Sequence, residues 1–506
     1  MAQAAGSIRT GTARGRWVLL ATVLGSGIAS LDATVVNIAL PTIGRDLGAS
    51  LAGLQWTLNG YTLTLAAFIL LGGSLGDVWG RRRIFQLGTL AFAATSLLCA
   101  VAPSVEVLVG ARVLQGIAGA LLTPGSLAII AASFCVEDRA AAIGAWSGFS
   151  GVTAAAGPFV GGYLIQHLSW RWIFLINLPL ALFVVVVAQR HVPESRDETA
   201  PRKTDVAGAL TCVATLALLT FGLIRWGADG MSPLVAASLV LAVLAGVGFV
   251  VVERRSSHPM VPLDIFRSTR FTAANLVTLV MYAALAGVFF MLSLQLQIVC
   301  GFSPISAGAA LLPVTALMLV GSARVGRLAQ RYGPRPFMTV GPLVCAAAML
   351  MLRQVGAGSS YWLDVLPAVA VFGVGLTITV SPLTIAVLTS APQRHSGVAS
   401  GVNNAVARTA GLLAVAVLPL AAGISETSYL EPAQFDAGYE RALIGCAALL
   451  ALGGLMSALL IGPAGVTPEP EGLEAEPPDR PAQRYHCGVD APPLGQRPSL
   501  SGPPGR

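Results

Sequence analysis

Lysine is almost missing from this 506-residue chain: Lys203 is the single one, and charged residues of all kinds make up only 11%. A body so poor in charge cannot be water-solvated on all sides. The solitary lysine also excludes a phosphate-binding P-loop, since Lys203 follows Arg202 with no glycine-rich stretch before it. ATP is therefore not an expected partner. The five histidines stand apart without a His-Glu-x-x-His pairing, and the seven cysteines show no paired spacing, so neither a zinc hydrolase nor a disulfide framework is expected. The cysteines outside the tail read as small apolar packing residues. One nucleophile-elbow match, Gly72-Gly73-Ser74-Leu75-Gly76, ends an apolar helix instead of sitting on a strand-to-helix turn. No metal, cofactor or catalytic residue is expected, and the chain does not read as an enzyme.

Apolar residues are abundant, at 55% of the total, and the mean hydropathy is +0.74. Such a chain belongs in a bilayer. Its apolar runs, each of about 20 residues or more, are long enough to cross roughly 30 Å of hydrocarbon as helix. Fourteen are read, near 17–40, 54–76, 84–102, 105–131, 140–165, 170–189, 205–226, 232–252, 271–299, 304–323, 337–355, 361–390, 396–422 and 438–462. The first is too long for a signal-peptide core, has no small-residue cleavage site and runs into Pro41, so it is expected to stay as an anchor. With the N-terminus inside, most of the 31 Lys and Arg fall in cytoplasmic segments. Only Arg45, Arg171, Arg225 and Arg353 lie on the outer side, while Arg112, Arg408 and Arg441 fall within spans. Both termini are thus expected in the cytoplasm. The same asymmetry accounts for the net charge of +7 and the pI near 9.3 without a nucleic-acid partner.

Two segments, Gly73-Ser-Leu-Gly-Asp77-Val-Trp-Gly80-Arg81-Arg-Arg83 and Gly326-Arg-Leu-Ala-Gln330-Arg-Tyr-Gly-Pro-Arg-Pro336, share one pattern half the chain apart. Each reads as a glycine-rich turn followed by a basic cluster, linking two spans. Matched segments in a membrane bundle point to a duplicated transporter body. The spans then divide as six, two and six. The expected organisation is a cytoplasmic tail (1–16), an N-terminal six-helix bundle (17–189), a charged, solvated linker (190–204) and two inserted helices (205–252). A second linker (253–270), a C-terminal six-helix bundle (271–462) and a Pro-, Gly- and Glu-rich disordered cytoplasmic tail (463–506) follow.

Of the 24 acidic residues only Asp32 sits deep inside a span. An ionised carboxylate there is costly unless a cation is near, which makes Asp32 a natural reversible proton carrier. Counted from the span ends at Leu40 and Ser104, Asp32 and Arg112 both lie about 12 Å below the outer boundary. Equal depth permits an ion pair that protonation would break. A static structural pair is the bland alternative, outweighed because intramembrane ionisable groups mark functional sites by default.

In the first repeated segment, Asp77 can face the positive N-terminus of a neighbouring helix as a latch, while Arg81, Arg82 and Arg83 also fix orientation. In the fifth span Thr153, Gly157 and Gly161 recur every four residues and form a flat stripe, and Pro158 favours a kink. That stripe reads as a rocking surface, although taken alone it is more often plain packing. Trp56, Asn59, Tyr61, Trp146, Phe149, Tyr282, Phe289, Gln295 and Asn403 could line an apolar cavity with a few polar handles, each alone being more often a packing or interfacial residue.

These residues also carry a family resemblance. Leu31-Asp32-Ala-Thr-Val-Val-Asn37-Ile-Ala-Leu-Pro41, the first repeated segment, and Arg112-Val-Leu-Gln115-Gly116 resemble motifs of the major facilitator superfamily. Gly157-Pro158-Phe-Val-Gly161-Gly162 resembles its antiporter motif. Trp170-Arg-Trp-Ile-Phe-Leu-Ile-Asn177-Leu-Pro179 and Gly301-Phe-Ser-Pro304, followed by Gly308 and Leu312-Pro313, resemble the fourteen-span drug:proton antiporter branch. Two departures stand out: Val78 replaces the arginine usual after the first-segment aspartate, and Thr153 a glycine.

The resemblance, over roughly residues 17–460, implies an all-α transmembrane major facilitator fold. It implies export of a small, often amphipathic molecule, drug-like or an antibiotic or secondary metabolite, from the bacterial cytoplasm. The exchange would be for protons, by alternating access, across the plasma membrane and as a monomer. By position, Asp32 and Arg112 would belong to the proton relay, Gly73, Asp77, Gly80 and Arg81 to the gate, and Gly157, Pro158 and Gly161 to the hinge. Proton-driven solute uptake and a non-transporting membrane sensor are the alternatives.

Overall fold

The computed structural model describes residues 8–196, 205–256, 259, 261, 263–390, 396–425 and 431–461; residues 197–204 of the expected 190–204 linker, Lys203 among them, and the tail from Pro463 lie outside the described residues, as does the side chain of Thr153. The described body is helical. Its elements are α1 (Ala13–Leu47), α2 (Leu51–Trp79), α3 (Arg81–Ala100), α4 (Val105–Ser133), α5 (Val136–His167), α6 (Trp172–Leu175), α7 (Asn177–His191), α8 (Val206–Asp229) and α9 (Pro233–Arg255). Then come α10 (Thr269–Leu294), α11 (Pro304–Ala309), α12 (Leu312–Tyr332), α13 (Arg335–Leu352), α14 (Leu366–Thr389), α15 (Ser396–Ala421) and α16 (Pro432–Leu460). Ser50, Ser104, Ser232 and Ser303 open α2, α4, α9 and α11 by accepting a backbone N–H in the next turn.

Among the described residues, 13 helical stretches are long and apolar enough to span a membrane, α6 with α7 and α11 with α12 each counting as one. The 32-residue α5 stands where a fourteenth is expected. Helices α1 to α7 pack as one group and α10 to α16 as another, with α8 and α9 between them in sequence. One end of the bundle carries Arg14, Arg81–Arg83, Arg254, Arg327 and Arg335 and is called here the basic face.

Several boundaries differ from the sequence reading. The two repeated segments are mostly helix: α2 runs to Trp79 and α12 to Tyr332, so the turns shrink to Gly80 (φ 113°) and Gly333 (φ 81°). The glycines at 72 and 73 serve helix packing instead. A Cβ on Gly72 would stand 2.1 Å from the Ala120 carbonyl oxygen of α4. Helix α1 passes through Pro41 to Leu47, and Asp46 on its projecting turn accepts from Trp170 Nε1 at 2.8 Å. A depth for Asp32 counted from Leu40 is therefore too short along its own helix. Helix α16 starts at Pro432, before the expected 438, and the sixth span breaks at Ile176 between α6 and α7.

The expected solvated linker at 190–204 begins docked. Val192 is buried, the Ser195 carbonyl accepts from Arg81 N at 3.0 Å, and Glu194 Oε1 accepts from Arg82 N at 3.1 Å. At the same face the N-terminal segment is strapped down. Ile8 pairs with Phe134, and Asp138 Oδ2 accepts from Thr10 N at 2.8 Å and Thr10 Oγ1 at 3.1 Å. Those two donors, the backbone amide first, hold the Asp138 carboxyl below the usual carboxylate range. A lowered folded pKa adds stability above the unfolded value and loses it as pH falls through the folded one. Trypsin is therefore expected to cut after Arg9 slowly at neutral pH and several-fold faster in Asp138→Asn; equal rates would show that Asp138 does not hold the strap.

Helices α8 and α9 form a hairpin, and α8 lies against both α2 and α15 through Leu216, Leu63, Ala66 and Leu412. Helix α9 turns Val240, Leu241, Val243, Leu244 and Val247 outward, an apolar surface suited to lipid and not to water.

Candidate functional site

Asp32 and Arg112 meet at the centre of the first helical group, with side chains 1% exposed each. Arg112 Nη1 donates to Asp32 Oδ2 and, at 2.7 Å, to Gln115 Oε1. Gln115 Nε2 in turn donates to Asp32 Oδ1 at 3.0 Å and to Ser96 Oγ at 2.8 Å. Asn177, at the α6–α7 break, adds donors to Asp32 Oδ1 at 3.3 Å and Ser96 Oγ at 3.2 Å. Arg112 Nε donates to the Thr57 carbonyl at 3.1 Å, and its guanidinium lies 4.3 Å over the Tyr61 ring. Helices α1, α2, α3, α4 and α7 thus converge on one charge pair.

The arrangement has a chemical consequence. The carboxylate is held by a cation and by amide donors, contacts that favour its charged form. Protonating Asp32 would cancel the charge facing Arg112, which keeps Thr57, Gln115 and the Tyr61 face. Removing one partner of a buried pair typically costs about 3–5 kcal/mol, so this proton carries a conformational price. Gln115 and Asn177 stood in the sequence motifs, but nothing in their pattern marked them as carboxylate ligands, and Ser96 gave no signal. Neutral polar residues in a span look alike until the fold sets their neighbours.

At the expected gate the structure gives Asp77 a partner that the sequence reading did not name. Asp77 Oδ1 accepts from Arg81 Nε at 2.8 Å and pairs with Arg81 Nη2 at 2.8 Å. Glu194 lies at the start of α3, with Arg82 and Arg83 each 3.7 Å from its carboxylate. The helix N-terminus and two guanidiniums favour an anion there, and the i,i+4 spacing delivers Arg81 to Asp77 first. Gly80 is needed twice over, for its positive φ and because a Cβ would stand 2.7 Å from Glu194. Gly73 faces Pro124 of α4.

The glycine stripe in α5 also turns differently. A Cβ on Gly157 would stand 2.1 Å from Thr34 Oγ1, and one on Gly161 would stand 2.5 Å from Val35, so both face α1 of their own group. The contact with the other group belongs to the next stripe. A Cβ on Gly162 would lie 2.5 Å from the Pro304 carbonyl oxygen, and one on Gly308 would lie 2.1 Å from that of Pro158. Both stripes have i,i+4 spacing, and adjacent residues on a helix point about 100° apart.

Hydrogen bonds that join the two groups lie at the end away from the basic face. Gln55 Nε2 donates to the Val415 carbonyl at 2.7 Å, Ser293 Oγ to Asn37 O at 2.8 Å and Gln297 Nε2 to Ile38 O at 3.0 Å. The bundle is closed at that end.

The cavity candidates divide. Trp146 Nε1 donates to Ser26 Oγ at 3.1 Å, and Asn403 Nδ2 donates to Thr278 Oγ1 at 2.8 Å and Asn275 Oδ1 at 3.2 Å. Tyr61 is buried against Arg112, and Trp56 is half-buried on α2. Asn59 is buried, its Nδ2 without a partner. Gln295 does not join them. It lies at the closed end, where it donates to Asp436 and, at 2.8 Å, to the Val355 carbonyl. A π turn over Gln295–Val299 directs this side chain into the second helical group.

Residues 22–415 match the sequence model of the Major Facilitator Superfamily. The chain is 38% identical over 410 residues to the tetracenomycin C resistance and export protein of Streptomyces glaucescens, covering 80% of this chain and 76% of that one. It is 35% identical over 451 residues to the methylenomycin A resistance protein of Bacillus subtilis (strain 168), covering 88% and 95%. Among solved structures, a bacterial homologue of the human lysosomal transporter Spinster, in an inward-facing and unoccupied conformation, superposes with a TM-score of 0.62. At 17% identity, and with 89% and 97% of the two chains covered, that likeness speaks to the fold.

Proposed function

This chain belongs to the Major Facilitator Superfamily, and on that premise we propose that it exchanges an outgoing drug-like or antibiotic molecule for an incoming proton. It is a multi-pass plasma-membrane exporter of small molecules, as its resistance and export relatives are named. The single observation that supports proton coupling is the Asp32–Arg112 pair, a titratable charge at depth with every ligand supplied by one helical group. One charge crossing 100 mV is worth about 2.3 kcal/mol, enough to hold a solute ratio of roughly fiftyfold. One proton therefore suffices.

The basic face is cytoplasmic by the positive-inside rule. The closed end is then the outer one, and the described conformation awaits substrate from the cytoplasm. The chain divides as read from sequence, into two six-helix bundles with α8 and α9 inserted, and works as a monomer. The Arg81–Asp77 pair and the Glu194 clamp stiffen the cytoplasmic end of α2 and α3, which the rocking halves use as a lever.

The test is direct. In everted vesicles from an efflux-deficient host, compounds found in a resistance screen are expected to accumulate when the membrane is energised and to discharge a proton gradient when added. Resistance with no substrate-dependent proton flux would overturn the coupling; accumulation in right-side-out vesicles alone would reverse the direction.

A further inference from the structure

Arg408 stands midway along α15, about 18 Å of rise from either end, where a charge is most costly. Unlike Arg112 it has no carboxylate. The residue is half-buried, but its Nε is buried without a hydrogen-bond partner, and no ion pair among the described residues includes it. The helices packed most closely around it, α2, α8 and α10, carry between them only Asp77 and Asp229, each at a helix end. The groups within electrostatic reach are the phenols of Tyr61 and Tyr282.

The register of α15 on α2 places a second free donor nearby. Gln55 bonds to Val415 near one end of the contact and Gly401 meets Leu70 near the other, so the helices run antiparallel with Arg408 opposite the turn of Asn59 to Thr62. On that turn Asn59 is 1% exposed, and its Nδ2 has no hydrogen-bond partner. Buried polar groups in native proteins are nearly always satisfied, and a buried cation is retained only when something balances it. Both unsatisfied groups here are donors, and they stand on opposite helical groups.

From this, and resting on the export reading above, we infer that Arg408 and Asn59 anchor an acidic group of the exported molecule, which is therefore an amphipathic organic anion with an aromatic or aliphatic body. The anion supplies the counter-charge that the chain omits. It also closes the seam between α2 and α15, because each half contributes one donor. Tyr61, with the Arg112 guanidinium over its ring, lies on the same turn of α2 as Asn59, so the anion site borders the proton site.

A matched set of probes tests this: anthracene-9-carboxylate, its methyl ester and the cation ethidium, each offered to energised everted vesicles. Wild type is expected to accumulate the carboxylate in preference to the ester by about tenfold or more, the scale of one charge-assisted hydrogen bond. Arg408→Gln should abolish that preference, Arg408→Lys should restore part of it, and Asn59→Leu should lower it less. A wild type that prefers the ester or ethidium overturns the inference while leaving export intact. So does an Arg408→Gln variant that depresses all three probes equally, which would make Arg408 a structural residue. If wild type accumulates compounds from the resistance screen but none of these probes, the inference fails while export stands; if it accumulates neither, the export reading fails as well.

Discussion

Asp32→Asn is expected to bring the steady solute ratio held by an energised membrane from roughly fiftyfold to about unity, because the one carboxylate read deep inside a span is gone. Asparagine keeps the volume and an acceptor oxygen for Gln115 or Asn177, so the five-helix cluster retains most of its hydrogen bonds. It leaves Arg112 with Gln115, the Thr57 carbonyl and the Tyr61 face. Downhill exchange of labelled for unlabelled substrate needs no proton and should persist. Thermal stability should fall, by less than the about 3–5 kcal/mol typical of a severed buried pair, because those contacts remain. Counterflow and proton-driven transport measured on the same proteoliposomes separate the two effects. Full proton-driven transport by Asp32→Asn would sink the assignment.

Gly308→Ala is expected to shift the resting conformation. The new methyl would stand 2.1 Å from the Pro158 carbonyl oxygen and 2.7 Å from its carbon, backbone atoms that no rotamer change can move aside. Gly162→Ala meets Pro304 and Ile305 from the other side at 2.5 and 2.7 Å. Overpacking of this kind costs about 1–3 kcal/mol, which moves a two-state population roughly 5- to 150-fold away from the state closed at that end. Spin labels on exposed Gln166 of α5 and on Trp362 at the start of the twelfth span, in a cysteine-free background, should report a longer distance in either variant. An unchanged distance with unchanged transport would mean that this contact is not the moving seam.

How far the sequence carried depended on how much each residue contrasts with its surroundings. Asp32 and Arg112 were legible because a charge inside an apolar run has few bland explanations, and their pairing followed from a depth estimate. Counted along α1 the depth was too short, since the helix continues to Leu47, yet the ion pair it permitted is formed. The helical spans were legible to within a turn or so, apart from α1, α12 and α16, whose ends extend further.

The repeated segments misled because membrane helices outlast the hydrocarbon they cross, so glycines near a span end served close packing and only Gly80 and Gly333 made the turns. Glu194 was hidden in a stretch whose charge spoke for solvent, and only the docking of residues 192–195 on α3 placed it. The α5 stripes could not be told apart by spacing, because both have the same period. Gln295 looked like a cavity handle because a polar side chain in a span announces need, not location.

The α8–α9 hairpin leaves the molecule with a front and a back in the plane of the membrane. Its α8 lies over α2 and α15, which come from different halves, while the α5–α11 contact on the other flank has no such cover. Annular lipid can therefore reach one joint between the halves and is screened from the other. Each swing of the halves must carry or slip past a third body on the screened flank only, so the two joints meet different friction, and the bilayer leaflets have a single lateral approach to the interior.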